Sequence, residues 1–112
     1  MGTDTGAIVE PRMCDAALAR AFRFLGKRWN GILLGTLVHG AAGFAQLKRA
    51  VPGISDSVLS ERLSELCAAG LVERTVVAGP PVSVTYQVTE AGMALVPALH
   101  ALSAWAADNL PA

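Results

Sequence analysis

Apolar positions follow a helical spacing through the first 70 residues, switch to a spacing of two for a short stretch, and then return to the helical spacing. Ala17, Leu18, Ala21, Phe22 and Leu25 form one stripe and predict a helix over about 14–25, broken by Gly26. Trp29, Ile32, Leu33, Thr36 and Leu37 predict a second helix over about 27–38, with those five residues inward. His39 to Gly43 have no period and read as a loop. Phe44, Leu47 and Ala50 share the next helical face, and Leu59, Leu63 and Leu66 the one after it. Leu71 to Val77 is rich in Val and Thr and reads as a strand. Ala78-Gly-Pro-Pro81 cannot continue it, since two prolines remove two backbone donors. Val82, Val84, Tyr86 and Val88 alternate with Ser83, Thr85 and Gln87, the pattern of a half-buried second strand. Thr89 is suited to cap a last helix over about 90–108, in which Leu95, Val96, Leu99, Leu102, Trp105 and Ala106 are apolar and Pro97 predicts a kink.

The joints between these elements have local causes. Pro52 drives Val51 out of the helical region and ends its helix, and Gly53 permits a sharp turn. Ser55 is a good N-cap, with Asp56 favourable in the first turn that follows. Gly70 is placed to stop that helix. Helix, tight turn, helix, then hairpin is the order of a winged helix-turn-helix, so the expected fold is mainly α with a small β-hairpin. Residues 1–12 contain Gly, Thr, Asp and Pro without period and predict a flexible N-terminal tail. Residues 13–112 then make one domain.

That order makes double-stranded DNA the expected partner. With Leu59, Leu63 and Leu66 inward, Ser57, Ser60, Glu61 and Ser64 turn outward, where short polar side chains reach base edges in a major groove. Ser55 stands at the start of the same helix. Lys48, Arg49 and Arg62 flank it and would neutralise phosphates, and Arg74 on the first strand would reach the backbone or the minor groove. The net charge of zero, taken alone, opposes this. Its distribution does not: residues 20–74 hold eight cations (Arg20, Arg23, Lys27, Arg28, Lys48, Arg49, Arg62, Arg74) against Asp56, Glu61, Glu65 and Glu73, a local excess of four.

Composition bears on assembly and location. The chain is 53% hydrophobic and only 16% charged, more apolar than so small a domain needs. The stripes on the first and last helices are therefore expected to close a homodimer through Leu18, Phe22, Leu99, Leu102 and Trp105, which would read an inverted repeat. No apolar run approaches the roughly 18 residues of a membrane span, and the start lacks a signal-peptide pattern, which predicts a cytoplasmic protein without membrane contact. Cys14, Cys67, His39 and His100 have no metal-ligand spacing, so no metal and no cofactor are expected. No nucleophile has a visible base partner, no carboxylate pair converges and no phosphate loop is present, so an enzyme is not expected.

Several segments resemble the HxlR-type transcriptional regulators, relatives of the MarR winged-helix group. They are Leu25-Gly-Lys-Arg-Trp-Asn-Gly-Ile-Leu33, Phe44-x-x-Leu47, Pro52-x-Ile-Ser-x-x-x-Leu-Ser-x-Arg-Leu-x-x-Leu66, Gly70-Leu-Val-Glu-Arg74, Tyr86-x-Val-Thr-Glu-x-Gly92 and Ala104-Trp105. The likeness covers about residues 14–106. It implies a homodimeric repressor or activator with the first and last helices at the dimer interface. It also implies that Cys14, matching an N-terminal cysteine of many members, senses oxidants or electrophiles such as quinones. Cys14 at the start of a helix, near Arg12 and beside Asp15, has local charges of both signs acting on its thiol. Ser83 stands where members often carry Arg or Lys after the wing prolines, which implies weaker wing contacts. Two other readings fit the same pattern: a winged-helix protein-interaction module without DNA binding, and a small-molecule sensor. The sequence does not name the effector.

Overall fold

The computed structural model describes residues 15–112. The expected tail and Cys14 lie outside the described residues. Helix α1 spans Ala16–Leu25, and Asp15 caps it by accepting the N–H groups of Ala17 at 3.0 Å and Leu18 at 3.1 Å. Helix α2, Asn30–Leu37, starts three residues later than the sequence predicts. Its inward face is also rotated by about one position: Asn30, Leu33, Leu34 and Leu37 are buried, while Ile32 is 47% exposed and Thr36 half-buried. The cause is the turn at 26–29. The Asn30 N–H bonds to the Lys27 carbonyl at 3.1 Å, and its side-chain Nδ2 donates to the Phe24 carbonyl at 3.0 Å, so Asn30 is fully buried while Trp29 packs half-buried against the core.

Helix α3, Phe44–Ala50, and helix α4, Asp56–Ala68, form the helix-turn-helix. Gln46 Oε1 accepts the Gly43 N–H at 2.8 Å at the start of α3, and Ser55 Oγ accepts the Val58 N–H at 3.2 Å at the start of α4. Gly53 and Gly70 carry positive φ at the turn and just beyond α4, conformations that glycine alone adopts without strain. Strands β1, Val72–Val77, and β2, Ser83–Val88, pair antiparallel, with Val72 opposite Val88 and Arg74 opposite Tyr86. Val82 precedes β2 and is exposed, not inward as the alternation predicts. Ala42 adds a short third rung, exchanging backbone bonds of 3.0 and 2.8 Å with Tyr86.

The expected last helix is two. Helix α5, Glu90–Met93, is capped by Thr89, and helix α6 spans Val96–Asn109. Pro97 does not kink a continuous helix. It sits in the first turn of α6, where its missing N–H costs nothing. Gly92 lets α5 pack close to the hairpin: a Cβ there would overlap the Leu71 carbonyl oxygen and the Val88 side chain. Thr89 fastens the same corner, its Oγ1 donating to the Gly70 carbonyl at 2.7 Å and accepting the Gly92 N–H at 3.1 Å. The core is Leu33, Leu34 and Leu37 of α2, Leu47 of α3, Val51 and Ile54 of the turn, Leu59, Leu63 and Leu66 of α4, and Val72 of β1. It anchors α4 from beneath and leaves that helix's opposite side in solvent.

Candidate DNA-binding face

Helix α4 presents Ser57, Ser60, Glu61 and Ser64, all exposed. Ser55 is occupied as the N-cap, and its hydroxyl lies 3.4 Å from that of Ser57. The hairpin stands beside α4, and between them is a cleft of about 410 Å3 lined by Ser60, Leu63, Ser64, Cys67, Arg74 and Tyr86. Two of the expected base-facing serines therefore share one concave surface with the cation of the wing. Arg49 and Arg74 are exposed and form no ion pair among the described residues. Lys48 reaches across the turn to Asp56, Nζ to Oδ1 3.4 Å, a contact weak enough to give way to a phosphate.

Arg62 differs from its expected place as a free flanking cation. Its side chain is only 11% exposed and is held by Glu65, with Glu61 a further 3.5 Å away. Glu65 also takes an ion pair from Lys27, at 2.9 Å. The Lys27 ammonium holds the Glu65 carboxyl below its ordinary range, against burial that pushes it up; Arg62 and the Asn30 amide add to the lowering. Sequence reasoning passed over this cluster. Arg62 and Glu65 are visible as an i, i+3 pair, but Lys27 lies 38 residues away and leaves no local signal. Arg28 stacks on Trp29, 4.5 Å from the ring centroid, and the edge of the same ring lies beneath Gly53.

The thiol of Cys67 is half-buried, and burial pushes its pKa up, partly offset by Arg74, so it holds its proton. Among the described residues no group of three or more His, Cys, Asp or Glu is placed to hold a metal. No helix among them is long and apolar enough to cross a membrane.

The outer helices have no buried residue. Phe22 is 55% and Trp105 54% exposed, and Leu18 and Leu102 are similarly open. Leu99 is different: it is half-buried against the core of its own chain and lies over Gly31. An open groove of about 530 Å3 runs between α2 and α6, with Ile32, Leu99 and Leu102 among its walls.

A hydroxyl-bearing helix set on a leucine core, a preceding helix locked to it through a tight turn, and a cation-bearing hairpin at its side define a winged helix-turn-helix DNA-binding domain. The chain belongs to the HxlR-like helix-turn-helix family, whose profile matches residues 24–112. The Bacillus subtilis HTH-type transcriptional regulator YodB is 43% identical over 94 residues, covering 84% of this chain and 83% of YodB. The solved reduced form of YodB superposes with a TM-score of 0.78 at 39% identity, covering 88% of this chain and 96% of that one. Its quinone-bound form gives 0.71 at 38%, covering 82% and 97%. The redox regulator HypR in its oxidised form gives 0.80 at 30%, covering 87% and 100%. The protein is a DNA-binding transcriptional regulator.

Proposed function

We propose that the chain is a cytoplasmic homodimer that binds an inverted-repeat operator through α4 and the wing, and releases or rearranges on it when Cys14 is modified. The observation that carries the DNA part is the shared concave face of Ser60, Ser64 and Arg74, flanked by the unpaired Arg49. Ser57, Ser60, Glu61 and Ser64 read base edges; Lys48, Arg49 and Arg74 meet phosphates. Arg62 is a brace, since its guanidinium is already engaged. The dimer rests on the exposed stripes of α1 and α6, with Leu18, Phe22, Leu102 and Trp105 in the contact and Leu99 behind them. A two-fold pair sets its recognition helices about 34–36 Å apart, one turn of duplex, or a multiple of it.

The effector reading is supported by a relative solved with quinone bound and by another described as a redox regulator. Cys67 is a poor candidate because burial keeps it protonated. Cys14 precedes the cap of α1, and the first free N–H groups of that helix are already taken by Asp15. A reactive Cys14 thiol would therefore owe little to the helix end, and Arg12, two residues away in the sequence, is the cation that could favour its thiolate. The thiolate sulfur adds to a quinone ring carbon, one S–C bond forms, and the ring takes up the proton as a hydroquinone.

One titration tests both parts, on a duplex selected from a random library. Arg49→Ala should weaken binding on every sequence and flatten the salt slope by about 0.9 per lost phosphate contact. Ser60→Ala and Ser64→Ala should change sequence preference. Benzoquinone should lower affinity in the natural chain and not in Cys14→Ser, with the adduct mapped by mass to Cys14. An unchanged response in Cys14→Ser, or a first adduct on Cys67, would sink the sensor role and leave the DNA reading standing.

A further inference from the structure

Lys27, Glu65, Arg62 and Asn30 form a polar cluster that joins three parts of the fold. Lys27 lies in the turn between α1 and α2. Asn30 opens α2, fully buried, and its Nδ2 is tied to the Phe24 carbonyl near the end of α1. Glu65 and Arg62 are on α4, Glu65 next to Ser64 and Arg62 midway between Ser60 and Ser64 in the sequence. Glu65 is the only member that bridges: one carboxylate oxygen takes Lys27 at 2.9 Å and the other takes Arg62.

The leucines under α4 fix its depth but not its rotation. Leu59, Leu63 and Leu66 are apolar contacts without direction, and a helix can roll on them by several degrees at small cost. A carboxylate held on both oxygens is directional. On the reading that α4 is the base-reading helix, we propose that Glu65 is a positioning residue for operator recognition: it pins the roll of α4 to the α1–α2 corner and so aims Ser60 and Ser64. Because Lys27 follows directly on α1, the same bridge passes a displacement of α1 to the reading face.

This role predicts the opposite of what charge alone predicts. Glu65→Gln removes an anion beside the DNA face and releases Arg62 and Lys27, so by electrostatics the variant should bind duplex more tightly and with a steeper salt slope. If Glu65 sets the aim of α4, specific binding falls about threefold to fivefold, within the roughly 1 kcal/mol that partly exposed pairs can supply. Binding to a random duplex stays within about twofold. Partly exposed ion pairs contribute little to folding, so the melting temperature should move little.

The experiment measures operator and random-duplex affinity for the full chain, with Glu65→Gln, Lys27→Met and the Ser60→Ala/Ser64→Ala pair. Lys27→Met cuts only the α1–α2 side and keeps the Arg62 contact; it should lower the operator-to-random ratio severalfold, although Lys27 is not on the reading face. The double variant with Glu65→Gln should lose no more than Glu65→Gln alone. Glu65→Gln binding the operator within twofold of the natural chain, or more tightly, overturns the proposal. So does an equal loss on both duplexes. If Glu65→Gln fails to fold, Lys27→Met decides, because a half-exposed amine is dispensable to the core. If the serine pair leaves sequence preference unchanged, the reading of α4 itself is wrong; if it does not and Glu65→Gln behaves as the natural chain, only the positioning role is.

Discussion

The helix-turn-helix and the two outer helices all carry apolar residues at helical spacing, and the chain uses them in opposite ways. In α4 the stripe is spent: Leu59, Leu63 and Leu66 are all but fully buried. In α1 and α6 no residue is buried, and Phe22 and Trp105 remain more than half exposed. Burying a large apolar side chain is worth about 1.5–3 kcal/mol, so the outer helices leave unused what the inner ones have already gained. An amphipathic pattern states which residues seek burial. It does not state whether the covering surface belongs to the same chain. Here the division is clean: core leucines hold α4 in place, and the apolar residues of the outer helices stay open to solvent within the single chain.

Truncation on the two sides should separate them most sharply. Leu63→Ala removes a side chain surrounded by the core and should cost about 2–5 kcal/mol, lowering the melting temperature by more than 10 °C in a calorimetric scan. Leu18→Ala, on α1, should shift a monomer's stability by less than about 0.5 kcal/mol. If the two variants melt alike, the comparison fails, because α1 would then be part of the core.

A charge placed on the outer side is the next test. Trp105→Glu or Leu102→Glu should dissociate the dimer while leaving the helical signal of each chain intact, since neither side chain is needed within its own subunit. Sedimentation should show a monomer at micromolar concentration. Operator binding should fall on the order of 100-fold, from the lost linkage of two half-sites. A dimer that survives both substitutions would place the interface elsewhere.

The same contrast explains what could be read in the sequence. The helix-turn-helix was legible almost to the residue, because Pro52, Gly53, Ser55 and Gly70 are local signals and each acts where it stands. The face of α2 was misjudged by one position, because Asn30 turns inward to serve the Phe24 carbonyl, a tertiary demand that no periodicity contains. Asn30 Oδ1 accepts no bond from the described residues. The need for glycine at 92 is hidden for a similar reason, since Gly92 reads as a weak helix residue until Leu71 and Val88 are seen against it. That Ser57, Ser60, Glu61 and Ser64 lie on the exposed side of α4 follows from helix phase alone. The engagement of Arg62 could be foreseen only in part, and its link to Lys27 not at all, because that pairing depends on the completed fold.

The smallest expected effect concerns acid. Lys27 and Arg62 hold the Glu65 carboxyl below the ordinary carboxylate range, so the charged form is favoured in the folded chain. For a group with a depressed pKa, the stabilisation is fully present above the unfolded value, about 4.3 for a glutamate, and is lost as pH falls through the lower folded value. The stability difference between the natural chain and Glu65→Gln should therefore be constant from neutrality down to about pH 5 and shrink below about pH 4.3. Glu61 also lies beside Arg62 and can take over part of its charge, which keeps the difference small. Chemical denaturation of both chains at a series of pH values would measure it. A difference that grows in acid would mean that the carboxyl is protonated more easily in the folded chain than outside it. Lys27 and Arg62 would then not be gripping Glu65, and the leucine core alone would orient α4.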